Sequence, residues 1–162
     1  ASDVYKRQRY RIQRMETKES IVTEEAFRHS LPIQIRFNDV DAIGHINNNI
    51  YFSYFDLGKI NYFEDLKASY VSWIDGIIVI AHIEVDFVAP VFYKEEIAVD
   101  TKIVKVGTKS VTFLQQVRNT LTNEIKCRCH SVAVTYNPKE LIAMKVPQLW
   151  KEAIAEYEGC TI

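Results

Sequence analysis

The sequence predicts an α+β domain in which a five-stranded antiparallel sheet wraps around one long central helix, with a second helix at the C-terminal end. Three observations carry this. Residues 47–66 form one long segment that is apolar on almost every side. Five further segments read as strands, and the last three are separated only by short turns. The chain is also poor in turn formers, with five glycines and four prolines in 162 residues, so its elements are expected to be long and its connections few. With 48% hydrophobic and 25% charged residues, it has the make-up of a globular chain long enough to bury a core.

The first strand is expected over Leu31–Phe37, where Ile33, Ile35 and Phe37 alternate with Gln34 and Arg36. A connection of small and polar residues, Asn38 to Ile46, leads into the helix at Asn47–Asn49, a run suited to capping because an asparagine side-chain oxygen can accept from an otherwise unpaired helical N–H. A helix this apolar has to be enclosed on most sides. Strands follow over Ile77–Val88, Glu96–Val106, Ser110–Asn119 and Glu124–Tyr136, with turns at Gly107 and at Leu121–Asn123. Short connections between successive long strands predict an antiparallel meander rather than βαβ units. Pro147 opens the terminal helix, whose inner side is expected to carry Leu149, Trp150, Ala153, Ile154 and Tyr157. One helix cannot cover both faces of five strands, so a free edge or outer face invites a second subunit, a homodimer or a dimer-based tetramer.

Charge and cysteines narrow the function classes. The near-zero net charge of −1 hides a basic arm: Lys6, Arg7, Arg9, Arg11, Arg14 and Lys18 face only Asp3, Glu16 and Glu19. The rest of the chain is acidic, which does not fit a nucleic-acid binder, whose positive charge covers a folded face. Met15 opens a run resembling a natural start, so residues 1–14 are expected to lie outside the domain and 15–162 to form it. No stretch reaches roughly 18 uncharged apolar residues, so no membrane span is expected. Cys127 and Cys129 are two apart in a strand and share a face, without a second pair to complete a metal site; they read with Cys160 as reduced thiols of a cytoplasmic protein. Neither metal nor cofactor is called for.

Residues 36–55, RFNDVDAIGHINNNIYFSYF, carry the chemistry. The pattern R-F-x-D-x-D-x-x-G-H-x-N-N-x-x-Y resembles the signature of hot-dog-fold acyl-CoA thioesterases of the hydroxybenzoyl-CoA thioesterase type. The likeness extends from about Ile21 to Tyr136 and includes the Asp86–Pro90 corner. It implies hydrolysis of an acyl-CoA thioester, with the catalytic aspartate falling on Asp41 and with His45 and Asn47 close to the thioester. The chemistry agrees. A carboxylate beside a helix N-terminus can attack or activate water, and backbone N–H groups there can hold the oxyanion. Asp41 is expected to be base or nucleophile, the amides around Gly44 and His45 oxyanion donors, and His45 a helper. Asn47, Asn48, Tyr51 and Tyr54 are candidate substrate contacts, although the tyrosines suit the core better.

Plainer roles are expected nearby. Asp39 fits a loop-fixing residue. Asp56 and Lys59 stand where the family commonly has E-x-x-R, a structural i,i+3 pair with a shorter acid and a non-planar cation. His82, Glu84 and Asp86 share a strand face expected to be solvated, with Asp86 nearest a partner's helix. Lys105, Lys109 and Arg118 are surface charges that could meet CoA phosphates. Other readings are a non-catalytic acyl-CoA-binding or regulatory module, an acyl-carrier-protein thioesterase, a related dehydratase, and a magnesium-dependent phosphatase built on Asp39-x-Asp41. The last needs βαβ units that this chain does not offer.

Overall fold

The computed structural model describes residues 26–66 and 76–159; the basic arm at residues 1–14 and Cys160 lie outside the described residues. Five strands, β1 (His29–Ile33), β2 (Ile77–Phe87), β3 (Ile97–Val106), β4 (Ser110–Asn119) and β5 (Ile125–Tyr136), make one antiparallel sheet in the order β1–β3–β4–β5–β2. Helix α1 (Asn48–Asp65) lies in the concave face and α2 (Gln148–Glu158) covers one end. This is the hot-dog architecture that the sequence predicts. The meander is confined to β3–β4–β5, since β2 pairs with β5 at one edge and β1 with β3 at the other.

β1 starts earlier than its alternation implies and stops at Ile33. Pro32, which has no N–H to give, sits on it because it is an edge strand. Beyond it the chain leaves the sheet, so Phe37, expected on the buried side with Ile33 and Ile35, is 80% exposed. In α2, Leu149 faces outward, while Trp150 and Ile154 are buried. Gly159 closes that helix in a left-handed conformation (φ +68°), beneath the Arg28 guanidinium that donates to the Tyr157 carbonyl at 2.7 Å.

The core divides into two apolar clusters. One gathers Tyr62, Phe63 and Phe113 against Trp150 and Ile154 of α2; the other gathers Tyr54 and Phe55, from the first turns of α1, against Val91, Val99 and Val117. Between them runs a polar seam of Thr101, Gln115, Ser131 and Lys59. Here α1 comes closest to the sheet: a Cβ on Gly58 would stand 2.7 Å from Val99 Cγ1 and 2.8 Å from Thr101 Oγ1. Gln115 ties the helix down by donating to the Phe55 carbonyl (2.9 Å) and to Thr101 Oγ1 (3.0 Å). The opposite face of α1 is open, with Phe52, Leu57 and Ile60 exposed. Enclosure is therefore limited to the sheet side, because one concave sheet reaches only half of a helix that is apolar around most of its girth.

Candidate active site

The loop between β1 and α1 is organised by its two aspartates, which do different things. Asp39 is buried, and its Oδ2 accepts from the Arg36 amide (2.8 Å) and from the Tyr54 hydroxyl (2.7 Å), while its carbonyl accepts from Asn47 N (2.9 Å). These bonds tie the loop to the helix, as expected of a loop-fixing residue. Burial and then the hydrogen bond to Asp39 push the Tyr54 hydroxyl well above its ordinary range, so it stays a donor.

Asp41 faces outward. Its Oδ1 accepts from Ile43 N (2.9 Å), its carbonyl from Gly44 N (3.0 Å), and its own amide donates to the His45 carbonyl (3.0 Å). The tight turn needs Gly44 at φ +89°, a conformation other residues rarely adopt. Asp41 Oδ2 stands 3.4 Å from His45 Nδ1, and both side chains are about one-quarter exposed, at 25% and 24%. That nitrogen also lies 3.3 Å from the Ile46 carbonyl. With an acceptor on both sides, Nδ1 holds the proton in the neutral ring, and Nε2 is left as the acceptor.

Asn47 caps α1 by accepting from Asn49 N at 3.0 Å. Among the described residues, the amides of His45 and Asn48 donate to nothing, whereas the Gly44 amide is spent within the turn. The first turn of α1 contains no acidic residue of its own, so its positive end is free to favour negative charge brought by the preceding loop. Asp41, His45, Asn47 and Asn48 are thus brought together at one helix terminus. Tyr51 and Tyr54 are not open to it: both are buried, Tyr51 with its ring edge-on to Phe87 at 5.3 Å and Tyr54 committed to Asp39. Burial also pushes the Tyr51 hydroxyl well up.

A second segment, Val91–Glu95, is stitched to this loop. Ile46 N donates to the Val91 carbonyl (2.8 Å), and His45 lies opposite Phe92. Its Tyr93 meets Phe37 edge-to-face, with ring centroids 6.3 Å apart. Phe37, Ile43, Phe92 and Tyr93 give the site an exposed apolar rim. Sequence reasoning missed it; the run Pro90-Val-Phe-Tyr93, apolar yet outside any alternating strand, was its signal.

The remaining candidates fall elsewhere. Lys59 Nζ, itself buried, pairs with the exposed Asp56 at 3.1 Å. His82, Glu84 and Asp86 lie exposed on the outer face, opposite Val132, His130 and Arg128. Arg118 is held by buried Asp100 at 2.9 Å and 3.1 Å, and Lys109 donates to the Ala143 carbonyl. Burial would by itself raise the Asp100 carboxyl, but hydrogen bonds from Arg118, Gln116 and Ser30 outweigh it and hold Asp100 below the usual carboxylate range. Cys127 and Cys129 are buried free thiols on one face, both pushed up by burial, Cys129 to about 11. Among the described residues no cluster of three or more metal-ligating side chains occurs, and no helix is long and apolar enough to cross a membrane.

Residues 35–154 match the family model described as the thioesterase-like superfamily. The chain is similar to the uncharacterised protein YsmA of Bacillus subtilis (strain 168), 31% identical over 80 residues; these cover 49% of this chain and 54% of that protein, so the match spans about half of the relative's length. A thioesterase from Thermus thermophilus, crystallised with coenzyme A and zinc, superposes with a TM-score of 0.72 at 26% identity, covering 86% of this chain and 100% of that one. The PA5185 protein of Pseudomonas aeruginosa strain PAO1 shares the fold at a TM-score of 0.74 and 23% identity, over 82% of this chain and 93% of that one.

Proposed function

The chain belongs to the thioesterase-like superfamily, and on that premise we propose that it hydrolyses an acyl-CoA thioester to the free acid and CoA at the Asp41 loop. The observation that carries this is the meeting of a part-exposed carboxylate with unused backbone donors at one helix terminus. The thioester carbonyl lies against the Asn48 and His45 amides, which stabilise the oxyanion as it forms. In one route Asp41 takes a proton from water while the water oxygen bonds to the carbonyl carbon; the C–S bond then breaks, and the proton passes to the leaving thiolate. In the other, an Asp41 oxygen displaces the thiolate to form a mixed anhydride, which water then opens. His45 orients Asp41 through Nδ1–H and keeps Nε2 for a proton of the water or the thiol. Asn47 and Asn48 border the substrate, with Tyr51 and Tyr54 as the packed floor beneath it.

The coenzyme A bound by the Thermus thermophilus thioesterase supports a CoA ester rather than an acyl-carrier-protein ester. Two further parts of the reading concern assembly and place. The outer edge of β2 is unpaired among the described residues and exposes Val79, Ile80, Ile83 and Phe87, close in chemistry to the open face of α1. A second copy covering both makes a homodimer, or a dimer-based tetramer, and brings Asp86 near the partner's helix. The reduced buried cysteines suit the cytoplasm.

The test is a panel of short, long, branched and aryl acyl-CoAs with wild type and Asp41→Asn. Wild type is expected to turn over at least one, and Asp41→Asn to lose about 10²-fold or more in kcat with its thermal midpoint kept. Wild type that binds acyl-CoA but hydrolyses none would instead make the chain a binding module.

A further inference from the structure

The rim beside Asp41 has a shape and chemistry that thioester cleavage alone does not use. Phe37, at 80% exposure, is the most exposed large apolar side chain among the described residues, and it is held in place by the ring of Tyr93. Tyr93 in turn lines a cleft of about 500 Å³, where the chain beyond β1 parts from the segment entering β3; Ile33, Ile35, Lys94 and Thr120 are among its other walls. The chain links the cleft to the Asp41 loop through Tyr93: His45 lies opposite Phe92, Phe92 precedes Tyr93, and Phe37 is four residues before Asp41, at most about 14 Å away along the chain.

We propose that the Phe37–Tyr93 ring pair and the cleft behind it hold the nucleotide end of CoA, with the adenine on the rings and the phosphates beside Arg36 and Lys94. This rests on the reading of the site as a CoA-ester hydrolase. A purine is a flat apolar face with polar edges, and exposed aromatic rings are its usual platform. Each ring has an exposed cation next to it in sequence, Arg36 before Phe37 and Lys94 after Tyr93. The carboxylates close by are held or have a use of their own. Glu95 is turned to Lys126 at 2.9 Å, a lysine it shares with Glu124 at 2.7 Å, and its Oε2 is bonded by Asn119 Nδ2 at 2.8 Å. Glu96 also lines the cleft, where its carboxylate can accept from an adenine amino group or a ribose hydroxyl. The pantetheine arm then runs past Phe92, joining the thioester at Asp41 to the rings.

The experiment compares one acyl group carried on CoA and on pantetheine, with calorimetric titration of adenosine 3′,5′-bisphosphate as the second readout. Wild type is expected to favour the CoA ester in kcat/KM, and Phe37→Ala and Tyr93→Ala to lower the CoA-to-pantetheine ratio about tenfold, mainly through KM. Leu149→Ala, an exposed change on α2, keeps the wild-type ratio. The bisphosphate is expected to bind wild type and to weaken in both ring variants, and Lys94→Ala to flatten the salt dependence of that binding. A ratio that stays put in the ring variants overturns the subsite, as does wild type that ignores the bisphosphate. A change in sedimentation without a change in ratio overturns it too, and gives the rim to a second copy. Should no thioester be turned over, the calorimetric arm still decides the subsite, while the hydrolase reading fails separately.

Discussion

Replacing Gly58 by alanine tests how α1 is seated on the sheet. In a free helix the change stabilises by about 1 kcal/mol, because glycine is the poorer helix former. Here the new methyl would stand 2.7 Å from Val99 Cγ1, 2.8 Å from Thr101 Oγ1 and 3.0 Å from Gln115 Nε2. These are neighbours on two adjacent strands, so no single rotamer change clears the space. Overpacking of this kind costs about 1–3 kcal/mol. Displacing the Gln115 amide from the Phe55 carbonyl adds about 1 kcal/mol, since the Gln115 oxygen is already buried without a partner. The net expectation is a loss of about 1–3 kcal/mol, read as a lower midpoint in urea unfolding with an unchanged slope. Val99→Ala removes the nearest clashing atom, so Gly58→Ala combined with Val99→Ala should cost about 1 kcal/mol less than the two separate losses together. A Gly58→Ala protein more stable than wild type, or strict additivity in the pair, would mean that the helix does not rest on Val99 and Thr101.

Three other changes have defined outcomes. Tyr54→Phe strips the buried Asp39 carboxylate of one donor and is expected to cost about 1–3 kcal/mol in chemical unfolding, with thioester turnover falling as the loop loosens. Asp100 has its folded-state pKa below the unfolded value, so its contribution is complete above about pH 4 and fades as the pH drops through the folded value; Asp100→Asn should lower stability at pH 7 and make the acid limb below pH 4 shallower. Because burial raises both thiols, Cys127 and Cys129 should react with a disulfide reagent at pH 8 only as fast as the protein opens, and at once in denaturant.

What the sequence discloses follows the range of the forces involved. Strands β2 to β5 and helix α1 follow from patterns within each segment, and all lie within a residue or two of where alternation and capping put them. The loop-fixing place of Asp39 was legible too, because it acts through neighbours in the same loop. The end of β1 was not: Ile35 and Phe37 prolong the alternation, yet the partner strand β3 begins at Ile97, opposite Ile33, so the pairing stops there. Arg118 read as surface charge, but its partner Asp100 is on the adjacent strand, and register is a long-range property. The Gly44 amide is likewise taken up by a turn whose closure depends on a dihedral angle that residue identity permits without announcing. The pairing of β2 with β5, rather than with its neighbour β3, lies beyond any local pattern.

The polar seam through Thr101, Gln115, Ser131 and Lys59 leaves the molecule with two cores that share a waist. Opening the loop end breaks the contacts of one cluster and leaves Trp150 and Ile154 of α2 packed against Phe63 and Phe113. Amide exchange should therefore resolve two protection levels, with the first turns of α1 and the Val91 segment exchanging by smaller fluctuations than the helix beyond Gly58. The Asp41 end can then loosen while the far end holds the fold, so mobility and durability are assigned to opposite halves of a single helix.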